Sequence, residues 1–292
     1  MSAVPPSERR AAWLEGLVHA FLESPQNALC YPGGGRAWGE ALVGFAAGDD
    51  PLFDEFQRHI GAFHWTPKQA FELGHLHLQA ASAELTVISW ILPQTLATRR
   101  DNRRQSLEPA PRWVHAKWFG EQVNRALRAH VVSALAEAGV PAVAPLLLPE
   151  WSEAHSERYG DASTWSERHA AYAAGLGTFG LSDGLITAAG KAMRCGSVVA
   201  RLAVPPTPRP YTDRHAYCLF YFGHEGCSAC VRRCPAGAIS EAGHDKGACL
   251  AYLEKVRTAL IEPAFGFSTD ACGLCQTKVP CEAHIPPELR SA

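Results

Sequence analysis

The sequence lacks the features that would place the protein in a specialised class. Its 292 residues contain no apolar run long enough to cross a bilayer, so we expect no membrane partner. The formal net charge is only −2, which by itself predicts no surface for polyanions. No internal repeat is evident before residue 205. The apolar and charged fractions, 47% and 19%, are those of a globular protein.

The start of the chain does not read as an export signal. Arg9 and Arg10 form a twin-arginine pair, but the apolar stretch behind them is interrupted by Glu15, His19 and Glu23. That stretch has the spacing of an amphipathic helix. We therefore expect a cytoplasmic protein, in a reducing compartment where clustered thiols bind metal rather than form disulfides.

What the sequence does have is cysteine, ten residues in all, of which eight lie between positions 218 and 281. Cys227, Cys230 and Cys234 form C-x2-C-x3-C and are followed at once by Pro235. This run matches the end of the bacterial ferredoxin motif, whose last cysteine ligates the other cluster of a pair. Eight thiolates are what two [4Fe–4S] clusters need. The sequence therefore predicts one-electron chemistry.

Crossed ligation sorts the eight cysteines into two sets. One cluster would be held by Cys227, Cys230, Cys281 and one ligand upstream of them. The other cluster would be held by Cys234, Cys249, Cys272 and Cys275. The upstream ligand is either His224, where regular spacing places it, or Cys218, which we favour because cubanes prefer four thiolates. Two zinc sites are the alternative, because C-x2-C pairs also build zinc ribbons.

The four prolines within residues 205–210 predict a break between two domains, 1–205 and 206–292. The first domain has a mixed pattern of helices and strands. The second is small, so metal–thiolate bonds must supply much of its folding free energy.

Several elements of the first domain can be predicted from local patterns. A continuous apolar run over 85–92 is typical of a strand buried on both faces. A helix is expected to include 123–135 and to close at Gly139. Two further strands are expected over 140–148 and 198–204. A capping box over 164–167 predicts a helix that begins at Thr164 and stops at Gly175.

Residues 161–168 (DASTWSER), followed by 173–177 (AAGLG), resemble the D-T-G-P-x-x-E-R and A-G-L-G segments of epoxyqueuosine reductases. The sequences that begin at Cys249 (CLAYL) and at Cys272 (CGLCQ) also have counterparts in that family. The resemblance covers the second half of the chain well and the first half loosely. Reductive dehalogenases share the same arrangement.

The resemblance implies an α+β fold, with a nitroreductase-like cobalamin-binding domain followed by a ferredoxin-like domain that carries two [4Fe–4S] clusters. It implies a cobalamin-dependent reductase that receives electrons from a ferredoxin or flavodoxin. Gly175 and Gly177 match the family's glycine-rich turn and are expected to contact the cofactor. The substrate would be a small molecule or a modified nucleoside, and epoxyqueuosine in tRNA is the one named candidate. The turn lacks the family's lysine, which puts tRNA in doubt.

Asp161 matches the family's proton donor. An aspartic acid with the ordinary pKa of about 4 holds almost no proton at neutral pH, so this role needs an apolar or anionic setting. The alternative is a structural role, in which Asp161 precedes a helix and favours the positive end of its dipole.

Arg99, Arg100, Arg103 and Arg104 form the one concentrated positive patch of the sequence. They could hold tRNA phosphates, a small anionic substrate or the edge of cobalamin, or they could lie in a solvated loop. We expect Arg99 and Arg100 to contact a cofactor or a small anion. Two other functions stay open: an iron–sulfur electron-transfer protein without its own organic substrate, and a flavin-dependent reductase.

Overall fold

The computed structural model describes residues 4–222 and 226–289. The α-helices are α1 (Arg10–Glu23), α2 (Pro51–Ile60), α3 (Pro67–Gly74), α4 (Leu96–Arg103), α5 (Pro111–Glu137), α6 (Glu167–Ala173), α7 (Ala229–Arg233), α8 (Lys246–Val256) and α9 (Glu262–Phe265). The strands are β1 (Leu42–Ala47), β2 (Thr86–Pro93), β3 (Ala142–Val143), β4 (Glu153–Ser156), β5 (Gly160–Ser163), β6 (Gly177–Phe179), β7 (Leu185–Thr187), β8 (Met193–Ala200), β9 (Ile239–Ser240) and β10 (Gly243–His244). Within the described ranges, no helix is long and apolar enough to cross a membrane.

An antiparallel sheet with the strand order β1-β2-β8-β3 lies at the centre of the first part of the chain. The strand predicted over 85–92 is β2, shifted by one residue. Its side chains alternate between two apolar clusters, with Ile88 and Trp90 in one and Val87 and Ile91 in the other. Because both faces are covered, the strand has a continuous apolar run instead of an alternating pattern.

Helices cover both faces of this sheet. Residues of α1 and α5 pack against one face, and residues of α2, α3 and α6 pack against the other. The helix predicted over 123–135 is confirmed as part of α5, which begins earlier, at Pro111, where proline is well tolerated. Gly139 follows its end with a φ of 79°, in the left-handed region that glycine adopts readily. The mixed α and β content predicted from the sequence is confirmed.

The capping box predicted at Thr164 is wrong, because α6 begins only at Glu167. The cap is Ser166, whose hydroxyl accepts a hydrogen bond from the backbone N–H of His169. The hydroxyl of Thr164 accepts instead from the backbone N–H of Ser152. Glu167, expected to complete the box, turns its carboxylate inward to Arg128. The helix stops before Gly175, as predicted.

Two predicted strands have different bounds in the structure. The strand expected over 198–204 is β8, which begins at Met193 and ends at Ala200. Of the strand expected over 140–148, only β3 forms. Pro145 opens a short 3-10 turn immediately after it, and proline cannot donate the hydrogen bond that would extend the ladder.

The proline-rich segment has no regular secondary structure and runs beside β1. The backbone N–H of Thr207 donates to the carbonyl of Phe45 at 2.9 Å, and the Thr207 hydroxyl accepts from the Phe45 N–H at 2.9 Å. A little further on, the hydroxyl of Tyr211 donates to the carbonyl of Tyr172 at 2.8 Å. The chain just after the prolines is therefore tied to the first part of the molecule, and the division into two domains stays a prediction.

The cysteine-rich part is built from short elements, and the first part of the chain completes its core. Leu181 and Ile186, at the β6–β7 hairpin, pack with Cys218 and Ile239 in one buried cluster. A second cluster joins Trp113 of α5 to the region of α8 and α9. The cysteine-rich part therefore shares buried contacts with the β6–β7 hairpin and with α5.

Candidate metal centre

Four of the predicted ligands surround one cavity. Cys218, Cys227, Cys230 and Cys281 line a small cavity of about 20 Å³. Cys230 lies in α7, Cys227 lies just before that helix, and Cys281 approaches from the far end of the chain. Cys218 is 8% exposed and the rest of the wall is largely apolar. The structure therefore places around one cavity the three cysteines that the crossed spacing assigns to one cluster and Cys218, the favoured upstream candidate. His224 lies outside the described residues.

The other four cysteines form a second group. Burial raises the pKa of Cys272 to about 12 and that of Cys249 to about 11, and in both cases the thiolates of Cys275 and Cys234 raise it further. Cys234, from the first sequence run, is therefore close enough to act on Cys249 and Cys272, and it also packs against the cluster that contains Cys218. Thiols with such high pKa values stay protonated at neutral pH until a metal displaces the proton.

The segment that carries the last three cysteines is held by α4 and by one arginine. Arg233 donates to the carbonyls of Leu274 and Thr277 at 3.2 and 3.0 Å, and to the carbonyl of Gln105 at 2.6 Å. Asn102 of α4 donates to the carbonyl of Cys272 at 3.4 Å. These bonds position the thiols without using any of their sulfur atoms.

Nothing in the local sequence pointed to Lys191, which also lines the four-cysteine cavity. Its backbone N–H donates to the carbonyl of Cys281 at 2.9 Å, and its ammonium donates to the hydroxyl of Ser182 at 2.7 Å. Burial acts to lower the pKa of Lys191, but the charges of the thiolates, led by Cys281, outweigh it and raise the pKa. The cavity thus has one buried cation in its wall.

Within the described part of the chain, no three His, Cys, Asp or Glu side chains converge tightly enough to hold a single metal ion. The first cysteine group lines one small cavity. Four thiolates around one centre are also the ligand set of a cubane.

Asp161 lies on β5, opposite His155 of β4, and is exposed. Its backbone carbonyl accepts a hydrogen bond from Lys246 of α8 at 2.7 Å, so this hairpin touches the cysteine-rich part. The exposed position does not supply the apolar setting that a proton donor needs. Asp161 also lies well before the first turn of α6, so the structural alternative, a helix-dipole contact, has no support in the geometry.

The residues predicted to contact an organic cofactor have other roles in the structure. Arg99 lies on α4, not in a loop, and its guanidinium is 3.9 Å from the carboxylate of Glu282, which Arg103 binds at 2.8 Å. Arg100 is exposed. These positions do not by themselves define a cofactor site.

The two glycines are explained by close packing of the backbone. A Cβ at Gly175 would lie 2.9 Å from the carbonyl oxygen of Pro208, and a Cβ at Gly177 would lie 2.3 Å from that of Ile186. An open groove of about 540 Å³ lies beside α3, between Trp65 and Gln79. Neither this groove nor the four-cysteine cavity includes the glycines, Arg99 or Arg100. These two spaces therefore give no support to the predicted corrin contacts.

No family model matches the chain, and no curated protein matches it. Solved structures with similar folds include a reductive dehalogenase whose structure suggests a mechanism for B12-dependent dehalogenation. It shares 16% identity over 86% of this chain and 31% of its own length, with a TM-score of 0.48. A selenomethionine-labelled epoxyqueuosine reductase shares 18% identity over 85% of this chain and 64% of its own, with a TM-score of 0.44. An epoxyqueuosine reductase with a modified tRNA-Tyr stem loop shares 16% identity over the same fractions, also at 0.44.

Both families named by the sequence resemblance are thus among the similar structures, at the distance expected of a divergent relative. The chain spans 31% of the length of that dehalogenase and 64% of that reductase. With every TM-score below 0.5, these similarities carry no argument about cofactor, substrate or mechanism.

Proposed function

We propose that the protein is an iron–sulfur oxidoreductase with two [4Fe–4S] clusters. The observation that carries the proposal is the cavity enclosed by Cys218, Cys227, Cys230 and Cys281. Four cysteines around one small cavity match the ligand set of a cubane, and together with the C-x2-C-x3-C-P run this placement supports iron over zinc.

Bound in these two positions, the clusters would supply single electrons at low potential. The chain's own residues would provide the ligands, of which Cys218 is buried and the others are partly buried, and α4 and Arg233 fix the last ligand segment. Two clusters can deliver the two electrons that a reductive cleavage or deoxygenation requires. We propose that a ferredoxin or flavodoxin supplies those electrons.

Cobalamin enters the proposal through the sequence resemblance only, as does Asp161 as the proton donor. The substrate is proposed to be a small molecule or a modified nucleoside, with epoxyqueuosine in tRNA as the named candidate. The exposed carboxylate of Asp161 and the packed glycines favour a second function. In that function the chain transfers electrons to a partner protein and has no organic substrate. A flavin in place of cobalamin stays a third alternative.

Iron content tests the ligand assignment. Anaerobically reconstituted wild-type protein is expected to hold about eight iron atoms per chain, and a Cys218→Ala variant about four, because one cubane is lost. A Cys30→Ala variant is the matched control, since Cys30 is exposed and belongs to neither group. Unchanged iron in Cys218→Ala together with loss in His224→Ala would move the fourth ligand to the histidine.

Cofactor binding separates the remaining functions. A cobalamin-dependent reductase should bind added cob(II)alamin tightly and change its EPR spectrum, whereas an electron-transfer protein should leave that spectrum unchanged. If cobalamin binds, Asp161→Asn should abolish turnover with the iron content intact. Unchanged turnover would remove Asp161 from the mechanism.

A further inference from the structure

Lys191 is a buried cation with an unusual set of neighbours. The residue is 3% exposed, and its ammonium donates to the hydroxyl of Ser182, which is itself 7% exposed. This recorded partner is neutral. The groups whose charge would act on the ammonium, once they bind metal as thiolates, are Cys281, Cys275, Cys230 and Cys218, in that order.

A buried ammonium without a counter-charge costs several kcal/mol. A neutral hydroxyl satisfies one of its hydrogen bonds but not its charge. A [4Fe–4S] cluster with four thiolate ligands has a net negative charge in both oxidation states, and the reduced state is more negative by one unit. Such a cluster in the cavity would pair with Lys191, and the pairing would be stronger after reduction.

We propose that Lys191 is a built-in counter-charge that raises the reduction potential of the cluster held by Cys218, Cys227, Cys230 and Cys281. This inference rests on the proposed function, because it requires that cluster. Lys191 is a positioning residue that acts through the cluster and not on a substrate. The step it tunes is the uptake of one electron from an external donor, in which no bond forms or breaks.

The effect should differ between the two clusters. Of the four thiolates with the largest effect on Lys191, three belong to the first group, including Cys281 with the largest effect, and Cys275 of the second group follows it. The backbone of Lys191 is also bonded directly to Cys281 of the first group. The charge therefore makes the first cluster the easier one to reduce, so that an electron held by the second cluster passes toward it.

The test is an EPR-monitored redox titration of reconstituted full-length protein, with dithionite as reductant. In Lys191→Met, the reduced-to-oxidised ratio of the first cluster at a fixed potential should fall about tenfold, which corresponds to a reduction potential lower by 59 mV for one electron. The reduction potential of the second cluster should change less. Ser182→Ala is the matched control, because it removes the hydrogen bond and keeps the charge, and its ratio should stay close to that of the wild type.

Each outcome decides the question. Unchanged potentials in a fully loaded Lys191→Met protein would overturn the inference while leaving the two-cluster function standing. Where Lys191→Met and Lys191→Gln both lose one cluster and Ser182→Ala keeps both, the charge requirement is supported. Equal loss in Ser182→Ala would show that the lysine acts through packing and would overturn it. A wild-type protein without any cubane signal would instead refute the proposed function itself.

Discussion

The buried guanidinium of Arg128 gives the sharpest stability prediction. Its side chain is 2% exposed and lies 3.0 Å from the carboxylate of Glu167, which is 11% exposed. The same guanidinium lies 3.1 Å from Glu121, which is 42% exposed, and donates to the carbonyl of Cys195 at 3.3 Å. Arg128 therefore has one buried and one exposed partner, and each can be removed separately.

Replacement of Arg128 by methionine leaves Glu167 buried without a counter-charge. Loss of one partner of a buried pair costs about 3–5 kcal/mol. Burial already raises the pKa of Glu167 against the pull of Arg128, so the carboxyl can take up a proton in the variant. Protonation of Glu167 limits the loss of stability, so we expect Arg128→Met to lower the free energy of unfolding by about 3 kcal/mol. Glu121→Gln removes an exposed partner of the same guanidinium and should cost at most about 1 kcal/mol.

Thermal unfolding of the cluster-loaded protein, followed anaerobically by circular dichroism, measures both changes. A loss of about 3 kcal/mol lowers the Tm by roughly 6–10 °C in a chain of this size, and a loss of 1 kcal/mol or less lowers it by about 3 °C at most. Equal shifts in Arg128→Met and Glu121→Gln would refute the reasoning, because burial would then make no difference to the two ion pairs.

Two further predictions concern backbone packing and thiol exposure. A Cβ at Gly273 would lie 2.0 Å from Trp113, whereas Gly266 has open space, and both have positive φ. Gly273→Ala should therefore lower the Tm by several degrees more than Gly266→Ala, and it should release iron from the second group. Equal changes in Tm for the two variants would contradict the close contact between Gly273 and Trp113. N-ethylmaleimide should label Cys30 of the cluster-loaded protein, because Cys30 is exposed. It should not label Cys195, because burial raises the pKa of that thiol to about 12. Mass spectrometry of the peptides measures both.

The cysteine grouping was predictable because it depends on a spacing rule and not on tertiary detail. The crossing of Cys234 and Cys281 between runs is encoded in the motif, and the structure places Cys218, Cys227, Cys230 and Cys281 around one cavity. Cys234 and Cys275 also pack against the buried cluster that contains Cys218, so the division into two groups stays a prediction. Ligation itself stays a prediction. The strand β2 was predictable for a similar reason, because a continuous apolar run of eight residues that ends at a proline is typical of a buried strand.

Other features depend on residues that meet only in the folded chain. Lys191 lies in a Gly-Lys-Ala sequence without any motif, and its significance comes from the cavity beside it. Glu167 fits a capping box by spacing, but its carboxylate forms an ion pair with the buried guanidinium of Arg128. Ser166 caps the helix instead. Local patterns cannot resolve that competition between a cap and a distant ion pair.

Iron and acid-labile sulfide, measured together on anaerobically reconstituted protein, test the two-cluster assignment most directly. Two cubanes predict about eight iron and eight sulfide atoms per chain, with two interacting EPR signals after reduction. Two zinc ions per chain without sulfide, bound through the same cysteines, would contradict it.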